Sequence, residues 1–186
     1  MKEEGIAAFD YDLELYDLWS IFSFDPAVED GVRESIGKKF LSLKQEALVN
    51  KTNFAFETNY HHLSSFETVQ QFKKSGYDTI LIFIALSDAA AAIERVKTRV
   101  SRGGHSVNEA TIRERFEKGL IQLDNTFMEF NVLYLYGSKE NENSLIYTLL
   151  PKLGKAVCTN EKLDARILNY LPTIEKFVQS SSLAID

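Results

Sequence analysis

The sequence holds one cysteine, Cys158, and three histidines in 186 residues. A lone cysteine closes no internal disulfide and builds no thiolate zinc site, and its isolation predicts a reducing, cytoplasmic compartment. Proline is scarce at 3 and glycine stands at only 9, which leaves few places for strained turns or a glycine-rich phosphate cradle. Cationic charge is short as well. Against 27 Asp and Glu there are 21 Lys and Arg, a balance of −6 that has the wrong sign for surface-wide attraction to nucleic acid or anionic lipid. Long apolar runs are missing too: Ile80 to Leu86 is the longest, far short of the roughly 20 residues a membrane-spanning helix needs. The opening Met1-Lys2-Glu3-Glu4-Gly5 leads into only four apolar residues, Ile6 to Phe9, unlike the apolar region of a signal peptide.

What is present is material for a core. The chain is 45% hydrophobic and includes 13 Phe and 8 Tyr, which rules out global disorder. Short apolar runs at Ile6 to Phe9, Asn53 to Phe56, Thr79 to Leu86, Val132 to Tyr136 and Leu145 to Leu149 alternate with segments of helical period. That alternation predicts a three-layer α/β sandwich with a mostly parallel sheet. Helices are expected from Pro26 to Asn50, from Ser65 to Lys74, after an Asp88 N-cap, from a Ser106 to Glu109 capping box through Phe127, and from Glu161 to Gln179 with a break near Pro172. No linker or repeat marks a boundary, so a single domain over 1–179 with a flexible tail at 180–186 is expected.

Five of the seven arginines, Arg95, Arg99, Arg102, Arg113 and Arg115, fall within 21 residues, a window of +4 inside a chain of −6. The first three are spaced i, i+4, i+7 and share a helix face; Arg102-Gly103-Gly104-His105 then carries the sole glycine pair. A hinged arginine hairpin suits phosphoryl transfer, because guanidinium groups neutralise charge spread over moving phosphoryl oxygens. An exposed, solvated helix face is the plainer reading of the same spacing. Glu57 and Thr58 end the run Phe54-Ala55-Phe56, at the carboxyl end of an expected strand, where open α/β sheets hold their ligands. Asp10 and Asp12 occupy the equivalent place after Phe9, where a carboxylate can serve as general base or simply begin a helix. His61 and His62 are adjacent, their side chains diverge, and no third ligand stands at a usual spacing, so no metal site is expected. Gly31 to Lys39 approaches the nucleotide-binding pattern G-x-x-x-x-G-K-[ST] but has five intervening residues, Lys39 in place of the hydroxyl, and helical periodicity around it.

In their order and spacing, Phe54-Ala55-Phe56-Glu57-Thr58, Gly76-Tyr77, Arg95 to Arg99, Arg102-Gly103-Gly104-His105, Ile112-Arg113 and Arg115-Phe116 resemble the zeta-toxin-like family of P-loop small-molecule kinases, and within it the bacterial branch described as predicted ATPases. The likeness runs from about Phe9 to Tyr136, about two-thirds of the chain. It implies a helix-flanked sheet, ATP with Mg2+ as cofactors, and transfer of a phosphoryl group to a small-molecule hydroxyl, which in the best-known toxins belongs to a UDP-linked amino sugar. It also implies an antitoxin as protein partner. Position by position, Asp12 matches the implied base, with Asp10 as its substitute. Glu57 matches the glutamate that contacts the acceptor, with Thr58 beside it. Arg95, Arg99 and Arg102 fall in the phosphate-facing lid, Arg99 and Arg102 as its catalytic pair, and His105 and Arg113 match lid positions without an individual role.

The family places a strand and a G-x-x-x-x-G-K-[ST] loop ahead of the segment matching Phe9 to Asp12. Here eight residues precede Phe9, and the loop pattern occurs nowhere in the 186 residues. The implied domain is therefore shortened at its N-terminus and inactive as this chain, because it lacks the loop's N–H cradle, lysine and hydroxyl. The alternative is a non-catalytic remnant that binds a ligand or protein through Glu57 and the arginine lid. Nucleic acid and membrane are not expected partners.

Overall fold

The computed structural model describes residues 7–101, 106–139 and 142–182. The chain folds as two compact units, Met1–Thr58 and Asn59–Asp186. In the first, Phe9 and Phe56 form a parallel bridge, with the Phe9 N–H donating to the Ala55 carbonyl at 2.8 Å and the Glu57 N–H to the Phe9 carbonyl at 2.9 Å. Of the two strands expected in this unit, that bridge is what the described residues contain. Helix α1 (Tyr11–Ser20) follows, capped by Asp10. A turn then leads through a short 3-10 helix at Pro26–Val28 into α2 (Glu29–Asn50), as the periodicity predicts. The buried side chains of Phe9, Leu15, Val32 and Ile36 form the unit's core. Phe40 packs edge-on against it, 5.2 Å from Phe9 and 5.6 Å from Phe56 between ring centroids. Edge-to-face pairs of this kind add roughly 0.5–1.5 kcal/mol beyond their buried area.

The second unit begins with α3 (Leu63–Lys74), closed by Gly76 at φ +86°, where a side chain would be strained. Next come β1 (Ile80–Leu86), α4 (Ala89–Ser101), α5 (Glu109–Thr126), β2 (Val132–Lys139), β3 (Glu142–Leu150), β4 (Lys155–Cys158), α6 (Ala165–Leu168) and α7 (Pro172–Ser182). The strands lie in the order β1-β2-β3-β4. Only β1 and β2 are parallel; β3 and β4 run antiparallel to their neighbours. The α/β class is as expected, but this sheet is mixed rather than mostly parallel. The reason is connection length: two residues separate β2 from β3 and four separate β3 from β4, whereas a parallel return needs a crossover of a dozen or more. The core lies where Leu133, Leu135, Leu149 and Ala156 meet Leu120, Leu123 and Phe127 of α5 and its end, and Ile167, Leu171 and Ile174 from the C-terminal segment.

Helix boundaries correct the sequence reading in three places. Asp88 caps α4 as expected, its Oδ1 accepting from the Ala91 N–H at 2.7 Å. For α5 the cap is Asn108 rather than Ser106, because the Asn108 side chain reaches the Thr111 N–H at 2.8 Å and makes Glu109 the first helical residue. The C-terminal segment breaks near Pro172 as expected, because Pro172 lacks the N–H needed to continue a helix and instead starts α7, but its first helix begins at Ala165, capped by Asp164, rather than at Glu161. Buried Ser181 lies inside α7, which runs to Ser182, past the expected boundary at 179; residues 183–186 of the expected tail lie outside the described residues. Among the described residues no helix is long and apolar enough to cross a membrane.

Candidate functional site

In the first unit the parallel bridge sets the geometry. Because Phe9 and Phe56 are paired in parallel, the residues that follow them, Asp10 and Glu57 with Thr58, emerge at the same, carboxyl end. That is the end at which α/β folds present ligand-binding groups. Asp10 Oδ1 accepts from the Asp12 N–H at 2.9 Å and the Leu13 N–H at 3.1 Å. That oxygen is thus committed to capping α1. Asp12 sits in the first turn with its side chain exposed, where the helix dipole favours negative charge. Glu57 and Thr58 are exposed as well. Four of the expected residues are therefore gathered at one end of this unit.

The stretch that approaches a nucleotide loop, Gly31 to Lys39, lies inside α2. Its lysines are occupied: Lys38 pairs with Glu34 at 2.7 Å and Lys39 with Glu14 at 2.6 Å. Helical N–H groups in mid-helix are spent on the preceding turn and cannot cradle phosphate. The near match is a helix, and ATP has no loop of the family's kind among the described residues.

In the second unit the arginines divide. Arg95 and Arg99 are exposed on α4, whose Ile93 is buried. Lys97 on the same helix holds Glu94 at 3.0 Å and reaches Glu109 of α5 at 3.5 Å. Arg113 and Arg115 are two residues apart on α5 and so point to different sides. Arg113 lines a shallow cleft of about 370 Å³ at the carboxyl end of β1, with Asp88, Phe116, Glu117, Arg166 and Tyr170 among the lining residues. Arg115 instead lies close enough to His61 to disfavour its cation. The +4 window is thus not one patch. Arg102 and His105 lie outside the described residues.

Arg166 was not singled out by sequence. Its guanidinium holds Asp164 at 2.6 Å and also contacts Asp88. The Arg166 hydrogen bond holds the Asp164 carboxyl below the usual range and, in return, raises Arg166. Arg166 is some fifty residues beyond the arginine window, so only the fold brings it to the cleft. With Arg166 neutralised by two carboxylates, Arg113 is the cleft arginine that makes no ion pair among the described residues. A guanidinium that makes no ion pair can bind an anionic group through paired N–H donors.

His61 and His62 stack with ring centroids 4.0 Å apart. Buried His61 Nδ1 has no hydrogen-bond partner among the described residues. Burial, then His62 and Arg115, push the His61 pKa down to about 4. Among the described residues no group of three or more His, Cys, Asp or Glu converges as metal ligands.

No curated protein matches the chain. A family model does: that of zeta toxin, over residues 27–148. The match takes in Glu57, Thr58 and all the expected lid residues, while Asp10, Asp12 and Arg166 fall outside it. Covering well over half of the sequence and resting on a mixed α/β fold, it places this chain in the zeta toxin family of kinase-like, ATP-dependent domains.

Proposed function

We propose that these 186 residues are the ligand-clamping part of a zeta-type kinase domain, holding a phosphate-bearing small molecule without transferring phosphate on their own. The observation that carries this reading is the state of Gly31 to Lys39: it is helix, and both its lysines are paired to glutamates. Family kinases depend on a loop whose N–H groups, lysine and hydroxyl hold the nucleotide phosphates and magnesium. Nothing among the described residues supplies that set, so ATP and Mg2+ do not fit this chain as it stands, and no transfer step is assigned to it.

Support for ligand binding comes from what remains. Arg113 is the cleft cation without an ion pair among the described residues, and Arg95 and Arg99 are exposed, all within the matched region. Taken by itself, the first unit presents Glu57 and Thr58, with Asp10 and Asp12, as acceptors for hydroxyl donors at one end. A UDP-linked amino sugar as ligand, phosphate-facing roles for Arg102 and His105, and a protein antitoxin as partner rest on the family alone.

Isothermal calorimetry with Mg-ATP and, separately, UDP-N-acetylglucosamine tests the proposal. No heat is expected from Mg-ATP. Binding of the UDP-sugar is expected to weaken with added salt and to drop about tenfold in Arg113→Ala, the loss of one charge-assisted contact. Micromolar Mg-ATP affinity, or a phosphorylated sugar by mass spectrometry, overturns it.

A further inference from the structure

Arg166 comes to the cleft from beyond the residues matched by the zeta toxin model. Its guanidinium is held in a fixed direction. Asp164, two positions earlier, takes Nε on Oδ1 at 2.8 Å and Nη2 on Oδ2 at 2.6 Å, the paired geometry that a planar guanidinium and a carboxylate share. Nη1 is left over, and it meets Asp88 Oδ2 across 78 positions of sequence. The other oxygen of Asp88 has a donor as well, since Oδ1 accepts from the Ala91 N–H at 2.7 Å. Asp88 is thus engaged twice, by the helix it caps and by Arg166.

The Arg166 side chain is 60% exposed and that of Asp88 28%, and ion pairs open to solvent contribute little to folding. The consequence of this pair lies across the cleft. Asp88 and Arg113 line the same cleft, yet Arg113 makes no ion pair among the described residues. Glu117, the other carboxylate of the lining, stands four positions after Arg113 on α5. That is the weaker order for a helical pair, with the acid on the C-terminal side of the base. Asp88 is therefore the carboxylate better able to claim Arg113, and Arg166 already holds it.

We propose that Arg166 is a positioning residue that keeps the Asp88 carboxylate off Arg113 and so leaves the Arg113 guanidinium open to an anionic ligand. It rests on the ligand reading only for what Arg113 binds. Without Arg166 the charged lining changes from two cations and two anions to one cation and two anions, and Asp88 Oδ2 turns to Arg113. Asp88 keeps its cap through Oδ1, so the start of α4 survives the change. An exposed pair of ordinary strength then occupies Arg113 about two-thirds of the time, which lowers both its reactivity and its affinity for phosphate about threefold. A lysine cannot replace the arginine, because a point charge lacks the fork that binds Asp164 at two atoms and reaches Asp88 with a third.

Phenylglyoxal labelling of the full chain, read at Arg113 by peptide mass spectrometry, tests this without a ligand. Arg166→Ala is expected to slow Arg113 labelling about threefold. Adding Asp88→Asn to that variant is expected to restore the rate, since asparagine keeps an acceptor oxygen for the cap without the charge. Arg166→Lys is expected to fall short of the parent rate. Lys155→Ala removes the same charge from β4, outside the cleft, and is expected to leave the rate alone. Calorimetry with UDP-N-acetylglucosamine is expected to follow the same order, Arg166→Ala weakening binding about threefold and Asp88→Asn rescuing it. Should Arg166→Ala lose its circular dichroism signal, Arg166→Gln is read in its place; loss of fold in both would make Arg166 structural and overturn the proposal. Unchanged labelling in Arg166→Ala, a loss that Asp88→Asn does not restore, or equal slowing in Lys155→Ala would each overturn it too. No heat from the UDP-sugar with the parent chain would remove the ligand reading alone, because the labelling series still decides the part played by Arg166.

Discussion

Lys39 lies 2.6 Å from the Glu14 carboxylate, joining α2 to α1 across 25 positions of sequence. The residue that stands where a nucleotide loop carries its metal-binding hydroxyl is therefore part of a helix–helix contact. Both side chains are partly exposed, and surface pairs of this kind contribute about 0.2–1 kcal/mol. Lys39→Met is expected to lower stability by no more than that, less at high salt, and to leave affinity for a phosphate-bearing ligand unchanged. Urea titration and calorimetry on the variant check both halves. Lost ligand affinity would show that Lys39 has a phosphate role after all.

Gly37 and Gly119 separate a helix-interior glycine from one that a neighbour requires. A Cβ added at Gly37 meets nothing within 4 Å, and alanine in mid-helix is favoured over glycine by roughly 0.5–1 kcal/mol. Gly37→Ala is therefore expected to raise the urea midpoint without touching ligand binding, which a genuine loop glycine would not tolerate. At Gly119 the added Cβ would stand 3.0 Å from the Asn59 carbonyl oxygen. That oxygen belongs to backbone leading into Tyr60, itself at φ +52° and bonded to Thr126, so it yields poorly. Gly119→Ala is expected to be less stable than Gly37→Ala by about 1 kcal/mol or more, because the clash consumes the helix-propensity gain.

Where periodicity was long and regular, the sequence was readable. α2 and α5 follow from apolar residues at three- and four-residue steps, and β1 and β2 from compact apolar runs. The misses have a common cause, which is weak local signal. α1 buries only Leu15 among its ten residues, and β4 has one buried residue, Ala156, in four, so neither shows a usable period. Asn53 to Phe56 looked like a strand because it is aromatic, yet its rings pack around Phe40 while its backbone keeps one bridge. The site divides likewise. Arg113 was visible in the charge window, but Arg166 owes its place in the cleft to β3, β4 and the turn at Asp164, which composition cannot foretell.

Asp124 is another long-range partner that composition hides. Buried at the end of α5, it accepts from the Thr173 N–H at 3.0 Å and the Ile174 N–H at 2.9 Å, capping α7 from 50 positions away. Removing it leaves two donors at a helix start without partners, one of them buried. Asp124→Ala is expected to cost about 1–3 kcal/mol in urea unfolding. Asp124→Asn keeps an acceptor oxygen and should lose less. Equal losses in the two variants would mean that the cap matters less than packing around Asp124.

His61 makes stability depend on pH in a defined direction. Its folded pKa of about 4 lies below the ordinary 6.5 because burial, then His62 and Arg115, disfavour the imidazolium. The unfolded chain therefore binds more protons than the folded chain between those values, and stability rises with pH across that window. The contribution is complete above about pH 6.5 and is lost progressively as pH falls toward 4. Part of the ring remains exposed, so solvent screening reduces the size of the effect without changing its sign. His61→Asn removes the titrating group while keeping a polar side chain. Its unfolding free energy is expected to fall less than that of the parent chain between about pH 7.5 and about pH 5, a difference that urea titrations at the two pH values measure directly. Parallel losses in the two proteins would overturn the assignment to His61, because carboxylates such as Asp164 and Glu129, held in their charged forms by Arg166 and Lys73, lose their contribution only as pH falls below this window.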